Sequence, residues 1–165
     1  MTDRPARSTR ADYGYWERHT TRWADIDVYG HMNNARYFEL IDTVVNNHLV
    51  VGTGVDIREL DAIGVVAEVS CRYYREVGYP DPVDLGVAVE RVGRSSVVYL
   101  VGLFQGDSGD PAEEASAEGR FVHVYVDNTA PEQVPEGAPQ DPPTGRRSVV
   151  PLPDEIRRVV EPLLR

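Results

Sequence analysis

One long stretch of helical periodicity governs what this chain can fold into. From Ala35 to Val50 the apolar residues Tyr37, Phe38, Ile41, Val44, Val45 and Leu49 recur at helical spacing. Asn33 or Asn34 is a good N-cap, and Glu39 and Asp42 sit early, where the helix dipole favours negative charge. The stripe is broad enough to be buried, which predicts a central helix. Everything after it is strand pattern. Ile63–Tyr74, Val83–Val92, Ser96–Phe104 and Glu118–Val126 are rich in Val and Tyr, with Gly, Pro or Asp at the joins. Ahead of the helix, Trp16–Trp23 has the aromatic and β-branched content of a first strand. One helix and an antiparallel meander make an α+β fold. A single sheet around one helix also leaves an open edge, and two such sheets can join edge to edge.

The 165 residues suit one domain with one core. Residues 1–13 are polar and are expected to be a flexible lead, and residues 14–128 carry the domain. Residues 129–165 form a Pro-rich extended tail ending in a short amphipathic helix, Pro153–Leu164. A net charge of −10 argues against a nucleic-acid partner, because phosphate contacts need a basic face. No apolar run approaches the ~20 residues of a membrane span, and the N-terminus lacks a secretion signal's apolar core. Cys71 is the single cysteine, so neither an internal disulfide nor a cysteine zinc site is expected. Together these absences point to a cytoplasmic protein without a membrane partner.

The chemistry concentrates in Arg22–Tyr37. Asp25 and Asp27 stand at alternate positions, Gly30 makes a turn, and the helix then begins. A helix N-terminus presents unsatisfied N–H groups and a positive dipole end, which can hold a developing oxyanion. A carboxylate just upstream can fold back toward the same point. Nucleophile or base and oxyanion hole would then lie within one short segment.

The run D-x-D-x-x-G-H-M-N-N-x-x-Y, Asp25 to Tyr37, closely resembles the signature of the 4-hydroxybenzoyl-CoA thioesterase-like hotdog family, in its acyl-CoA thioesterase branch. The resemblance is strongest over Arg22–Thr43. It continues through Tyr73–Tyr99, where Y-Y-R-E-V-G-Y-P-D-P-V looks like that family's strand-turn-strand. It implies a hotdog domain over 14–128 that hydrolyses an acyl-CoA, as a homodimer or homotetramer. It also implies that Asp27 is the catalytic carboxylate, acting as nucleophile or as general base toward water. The oxyanion donor would be the backbone N–H of Asn34, with Tyr37 on the first helical turn. His31 fits the acyl-CoA branch and would orient Asp27 or cap the turn; Asp25 would hold the turn by pairing with Arg22 or Arg36. Tyr37, Phe38 and Ile41 would shape the acyl pocket, and Arg94 and Ser95 would receive the phosphates of coenzyme A. Coenzyme A enters only as part of the substrate, and no metal or other cofactor is implied.

Plainer roles compete. An aspartate in such a turn often serves as a loop-stabilising Asx residue, and a histidine like His31 is often structural. A metal site built from Asp25, Asp27, His31 and His48 matches no structural ligand spacing. Gly52-Thr53-Gly54 lacks the third glycine of a nucleotide fingerprint, and Ser95 and Ser96 lack a G-x-S-x-G elbow. Two other functions compete as well. A hotdog enoyl-CoA hydratase resembles a dyad with Asp and His separated by four residues; here Asp27 and His31 are separated by three. A non-catalytic acyl-CoA-binding module would keep the fold and lose turnover.

Overall fold

The computed structural model describes residues 6–106, 108–129 and 147–165. Strand β1 (Tyr15–His19) precedes helix α1 (Asn34–Thr53), and four strands follow: β2 (Ala62–Tyr73), β3 (Val83–Val92), β4 (Ser96–Gln105) and β5 (Ala117–Asp127). Helix α2 (Asp154–Val160) and a 3-10 turn close the chain. The strands form one antiparallel sheet in the order β1-β3-β4-β5-β2. Among the described residues neither edge is closed by another strand, and β2 is the longer edge.

Helix α1 lies across one face of this sheet. Asn33 caps it, its Oδ1 accepting from the Ala35 N–H at 2.9 Å. The helix runs past Val50 because Gly54 ends it, taking the left-handed conformation and donating to the Val50 carbonyl. Ile41, Val44 and Val45 are completely buried. Gly119 on β5 sits directly beneath Ile41, and any Cβ there would collide with it. Leu40 and His48 join the buried face, whereas Phe38 is only half-buried on its flank.

The first strand is shorter than Trp16–Trp23. It stops at His19, and Trp23–Asp25 coil into a 3-10 turn. The reason is local: the Asp25 carboxylate accepts the Arg22 N–H at 2.8 Å, and the Asp25 N–H donates to the Arg22 carbonyl at 2.9 Å. An aspartate that bonds its own backbone competes with a ladder, and here it wins.

Described residues on both flanks of the sheet's strands pack against it. In the expected lead, Ser8 and Tyr13 are buried, and the Tyr13 ring passes over Gly86 and Gly102, where a Cβ would come within 2.8 and 2.6 Å of it. The stretch expected as extended surface chain, Thr129–Pro151, lies largely outside the described residues. Leu152, Ile156 and Val160 beyond it belong to the main core. No helix is long and apolar enough to cross a membrane among the described residues.

Candidate active site

Between β1 and α1 the chain makes a tight loop whose two sides bridge at Ile26 and Met32. Asp27 organises it. Its N–H donates to the His31 carbonyl at 2.8 Å, and its carbonyl accepts from Gly30 at 3.1 Å. Its Oδ1 accepts the N–H groups of Tyr29 (2.8 Å) and His31 (3.2 Å). Gly30 has φ 87°, a conformation that suits glycine. So the Asx role is real, but it uses one oxygen only. Oδ2 of Asp27 receives no hydrogen bond among the described residues.

The loop is pinned from outside by two backbone bonds. Met32 N–H reaches the Val77 carbonyl at 2.8 Å, and Asn33 N–H reaches the Asp25 carbonyl at 2.7 Å. Asp25 is itself buried and accepts both Nε (3.0 Å) and Nη2 (2.7 Å) of Arg22, with Arg36 Nε at 3.5 Å. Burial opposes its ionisation, but the Arg22 hydrogen bonds and the Arg36 charge outweigh burial and hold the carboxyl below its usual range. Asp25 is therefore the structural aspartate of the pair, bound to both arginines named from the sequence.

At the start of α1, Asn33 satisfies two of the first N–H groups: its side chain takes Ala35 and its carbonyl takes Arg36. The N–H of Asn34 has no acceptor among the described residues. Unsatisfied N–H groups are ordinary at a helix start; here one is left free seven positions after a carboxylate with a free oxygen. The Asn34 side chain is held from the sheet, its Oδ1 accepting from the Tyr73 hydroxyl at the end of β2. Tyr73 also meets Tyr37 edge-on, ring centroids 4.9 Å apart. Tyr73 and Val77 are site residues that the sequence did not single out. The signal was their place in the Y-Y-R-E-V run, which marked a strand and turn without assigning roles.

His31 touches Asp27 through its backbone, not its ring. Its Nε2 instead lies 3.2 Å from Glu76, with both side chains substantially exposed. The side chains of Asp27 and His31 form no dyad. Tyr37 is buried at the site, Ile41 is a core residue clamped on Gly119, and Phe38 flanks the open side of the helix.

Arg94 and Ser95 are not brought to Asp27 within one chain. They form the β3–β4 turn, whose carbonyls accept from Leu152 and Tyr125. Register places that turn beside Val124 and Val65, while Asn34 meets Tyr73 at the opposite end of β2. At about 3.4 Å per residue those ends are roughly 30 Å apart. Arg7, Arg72, Arg120 and Arg165 instead converge on a cavity of about 460 Å³ on the sheet's other face, together with Glu90 and Glu118. Among the described residues no three His, Cys, Asp or Glu side chains are grouped to hold a metal.

A family profile described as the thioesterase-like superfamily matches residues 21–160. The solved PA5185 protein from Pseudomonas aeruginosa strain PAO1 is 35% identical, over 96% of this chain and 97% of its own, with a TM-score of 0.79. The PA2801 protein from Pseudomonas aeruginosa is 25% identical, over 87% and 95%, with a TM-score of 0.67. A mutant 4-hydroxybenzoyl-CoA thioesterase complexed with 4-hydroxybenzoyl-CoA is 12% identical and shares the fold, over 88% and 96%, with a TM-score of 0.68. No curated protein sequence matches.

Proposed function

Because the chain belongs to the thioesterase-like superfamily and has its hotdog fold, it is a thioester hydrolase, and we propose that it cleaves an acyl-CoA using the carboxylate of Asp27. The carrying observation is that one short segment holds both a carboxylate oxygen, on Asp27, and a helix N–H, on Asn34, that are without partners among the described residues. Oδ1 of Asp27 anchors the turn while Oδ2 attacks the thioester carbonyl or draws a proton from water that does. Negative charge gathering on the carbonyl oxygen meets the Asn34 N–H and the positive end of α1. The C–S bond breaks, coenzyme A leaves as the thiolate, and water supplies the oxygen and protons of acid and thiol.

With Arg94 and Ser95 as the phosphate ligands, the substrate site would be completed by a second chain in a symmetric dimer. Val65, Val66, Val69 and Tyr73 on edge strand β2 are exposed apolar side chains. Antiparallel pairing of β2 with its symmetry copy would cover them and set the far end of one sheet beside the Asp27 end of the other. Arg94 and Ser95 would then serve the neighbouring site, where their positive charge suits phosphates. The substrate is an acyl-CoA in the cytoplasm. The experiment is turnover of an acyl-CoA panel by the wild type and Asp27→Asn. Asparagine keeps an Oδ1 acceptor for the turn but has no carboxylate, so equal rates would overturn the assignment.

A further inference from the structure

The peptide group that pins the Asp27 loop is itself gripped from its other side. In the Val77–Gly78 peptide, the carbonyl accepts the Met32 N–H at 2.8 Å, and the N–H donates to Oε1 of Gln105 at 2.9 Å. Both groups lie in one plane, because the partial double bond between them resists rotation. Turning that plane away from Gln105 therefore turns its carbonyl away from Met32 as well. Gln105 holds the same stretch at two further points: its Nε2 donates to the Gly78 carbonyl at 2.5 Å and to the Asp81 carbonyl at 2.9 Å. A side-chain amide carries a donor and an acceptor, so it pairs with both backbone groups of Gly78 as a neighbouring strand would.

The sheet brings Gln105 to this place. It is the last residue of β4 and pairs with Val83, the first residue of β3, so its side chain continues the ladder where the β4 backbone stops. Gly78 has no side chain to restrain its torsions, which leaves the grip to an outside group. It also abuts the turn of the Asp27 loop: a Cβ on Gly78 would stand 3.8 Å from the Gly30 carbonyl oxygen. The buried Tyr37 hydroxyl meets the Val77 main chain, and the Thr21 hydroxyl donates to the Asp81 carbonyl at 3.0 Å. Thr21 before the loop and Met32 after Asp27 thus both fasten to the segment that Gln105 holds.

We propose that Gln105 is a positioning residue for the Asp27 site, acting through the Val77–Gly78 peptide and Met32. Its own bonds go to Gly78 and Asp81, so it works on the chemistry only through that plane. Met32 stands between Asp27 and Asn34 in the chain and bridges Ile26 across the base of the loop. With the plane fixed, Met32 is fixed, and so is the path of the chain from the Asp27 carboxylate to the Asn34 N–H. With the plane free to turn, the loop loses that pin, and a misplacement of about 1 Å at a reacting group can cost ~10²-fold in rate. The inference rests on the thioesterase reading for its reaction.

The test uses Gln105→Met, which fills similar space and removes all three bonds. It should lower kcat for an acyl-CoA by ~10-fold or more, with KM within about twofold of wild type. Gln105→Glu, which keeps an acceptor for the Gly78 N–H, should retain more of the rate, and it carries the same measurements if Gln105→Met fails to fold. Amide hydrogen exchange supplies a readout that a purely structural role would not move. In Gln105→Met the Met32 and Gly78 N–H groups should exchange ~10-fold faster or more while the amides of α1 and β4 keep their protection; a general loss of stability would speed all of them alike. An unchanged kcat in a folded Gln105→Met, or exchange at Met32 that rises only with the core, would overturn the proposal. If the wild type hydrolyses no acyl-CoA, the thioesterase reading falls on its own account. Exchange at Met32 then decides whether Gln105 sets the loop, faster exchange in Gln105→Met supporting it and unchanged exchange ending it.

Discussion

The hydroxyl of Tyr73, the last residue of β2, donates to Oδ1 of Asn34, the first residue of α1. This one bond ties the proposed oxyanion donor to the edge strand. Tyr73→Phe keeps the ring contact with Tyr37 and removes only the hydroxyl. Losing a bond of ~1 kcal/mol that positions the donor should lower kcat several-fold with little change in KM. Steady-state kinetics on one acyl-CoA read both constants, and an unchanged kcat would leave the bond a purely structural one.

Substitutions at Asp27 separate its two oxygens. Asp27→Asn should lower kcat by ~10²-fold or more while the circular dichroism spectrum and melting temperature stay close to wild type. Asp27→Ala loses the carboxylate and also both bonds to Tyr29 and His31. It should therefore be inactive and less stable as well. Activity in Asp27→Asn with loss only in Asp27→Ala would mean that the side chain merely holds the turn.

Asn34 can be probed through its backbone. Asn34→Pro deletes the N–H at the first helical position, where proline is tolerated, and should reduce kcat ~10²–10³-fold. Asn34→Ala keeps that N–H but abandons the Tyr73 hydroxyl, so its loss should match that of Tyr73→Phe. A Pro variant that stays folded and active would move the oxyanion elsewhere.

Acid should destabilise the fold through His123. Burial depresses its pKa to about 4 in the folded state, against ~6.5 when unfolded. The unfolded chain therefore binds the extra proton between those values, and stability rises with pH across that window. The contribution is complete above pH ~6.5 and lost as pH falls toward 4, ~3 kcal/mol at most. His48 is depressed by burial too and acts with the same sign. Urea midpoints from pH 4 to 7 should steepen in wild type relative to His123→Phe; parallel curves would contradict the assignment.

The proposed dimer would place its signature on β2. Sedimentation at micromolar concentration should show twice the 18.4 kDa chain mass. Val65→Lys sets a charge on this edge strand, where lysine discourages strand addition. It should shift the equilibrium toward monomer and lower activity in proportion. A monomeric, fully active wild type would contradict the two-chain site.

Local chemistry in the sequence determined a great deal. Asn33 as cap, the apolar stripe from Tyr37 to Leu49, and the Val-rich runs after Gly54 needed only neighbours in the chain, so α1 and β2 to β5 were legible to within a few residues. The Asp27 turn was legible for the same reason, since its bonds to Tyr29, Gly30 and His31 span at most four residues. Even the end of β1 was a local matter, decided by Asp25 bonding back to Arg22. What only the tertiary structure decided are partnerships across long sequence separations. Tyr73 reaching Asn34, Val77 receiving Met32, and Ile156 and Val160 entering the core from the tail depend on where the sheet returns each strand. The distance of Arg94 from Asp27 within one chain is of this kind too, because spacing along the chain does not say which end of the sheet a turn occupies. His123 carries no signal as a residue in an alternating strand; its meaning comes from burial beside Gly64 without a partner, a property of packing alone.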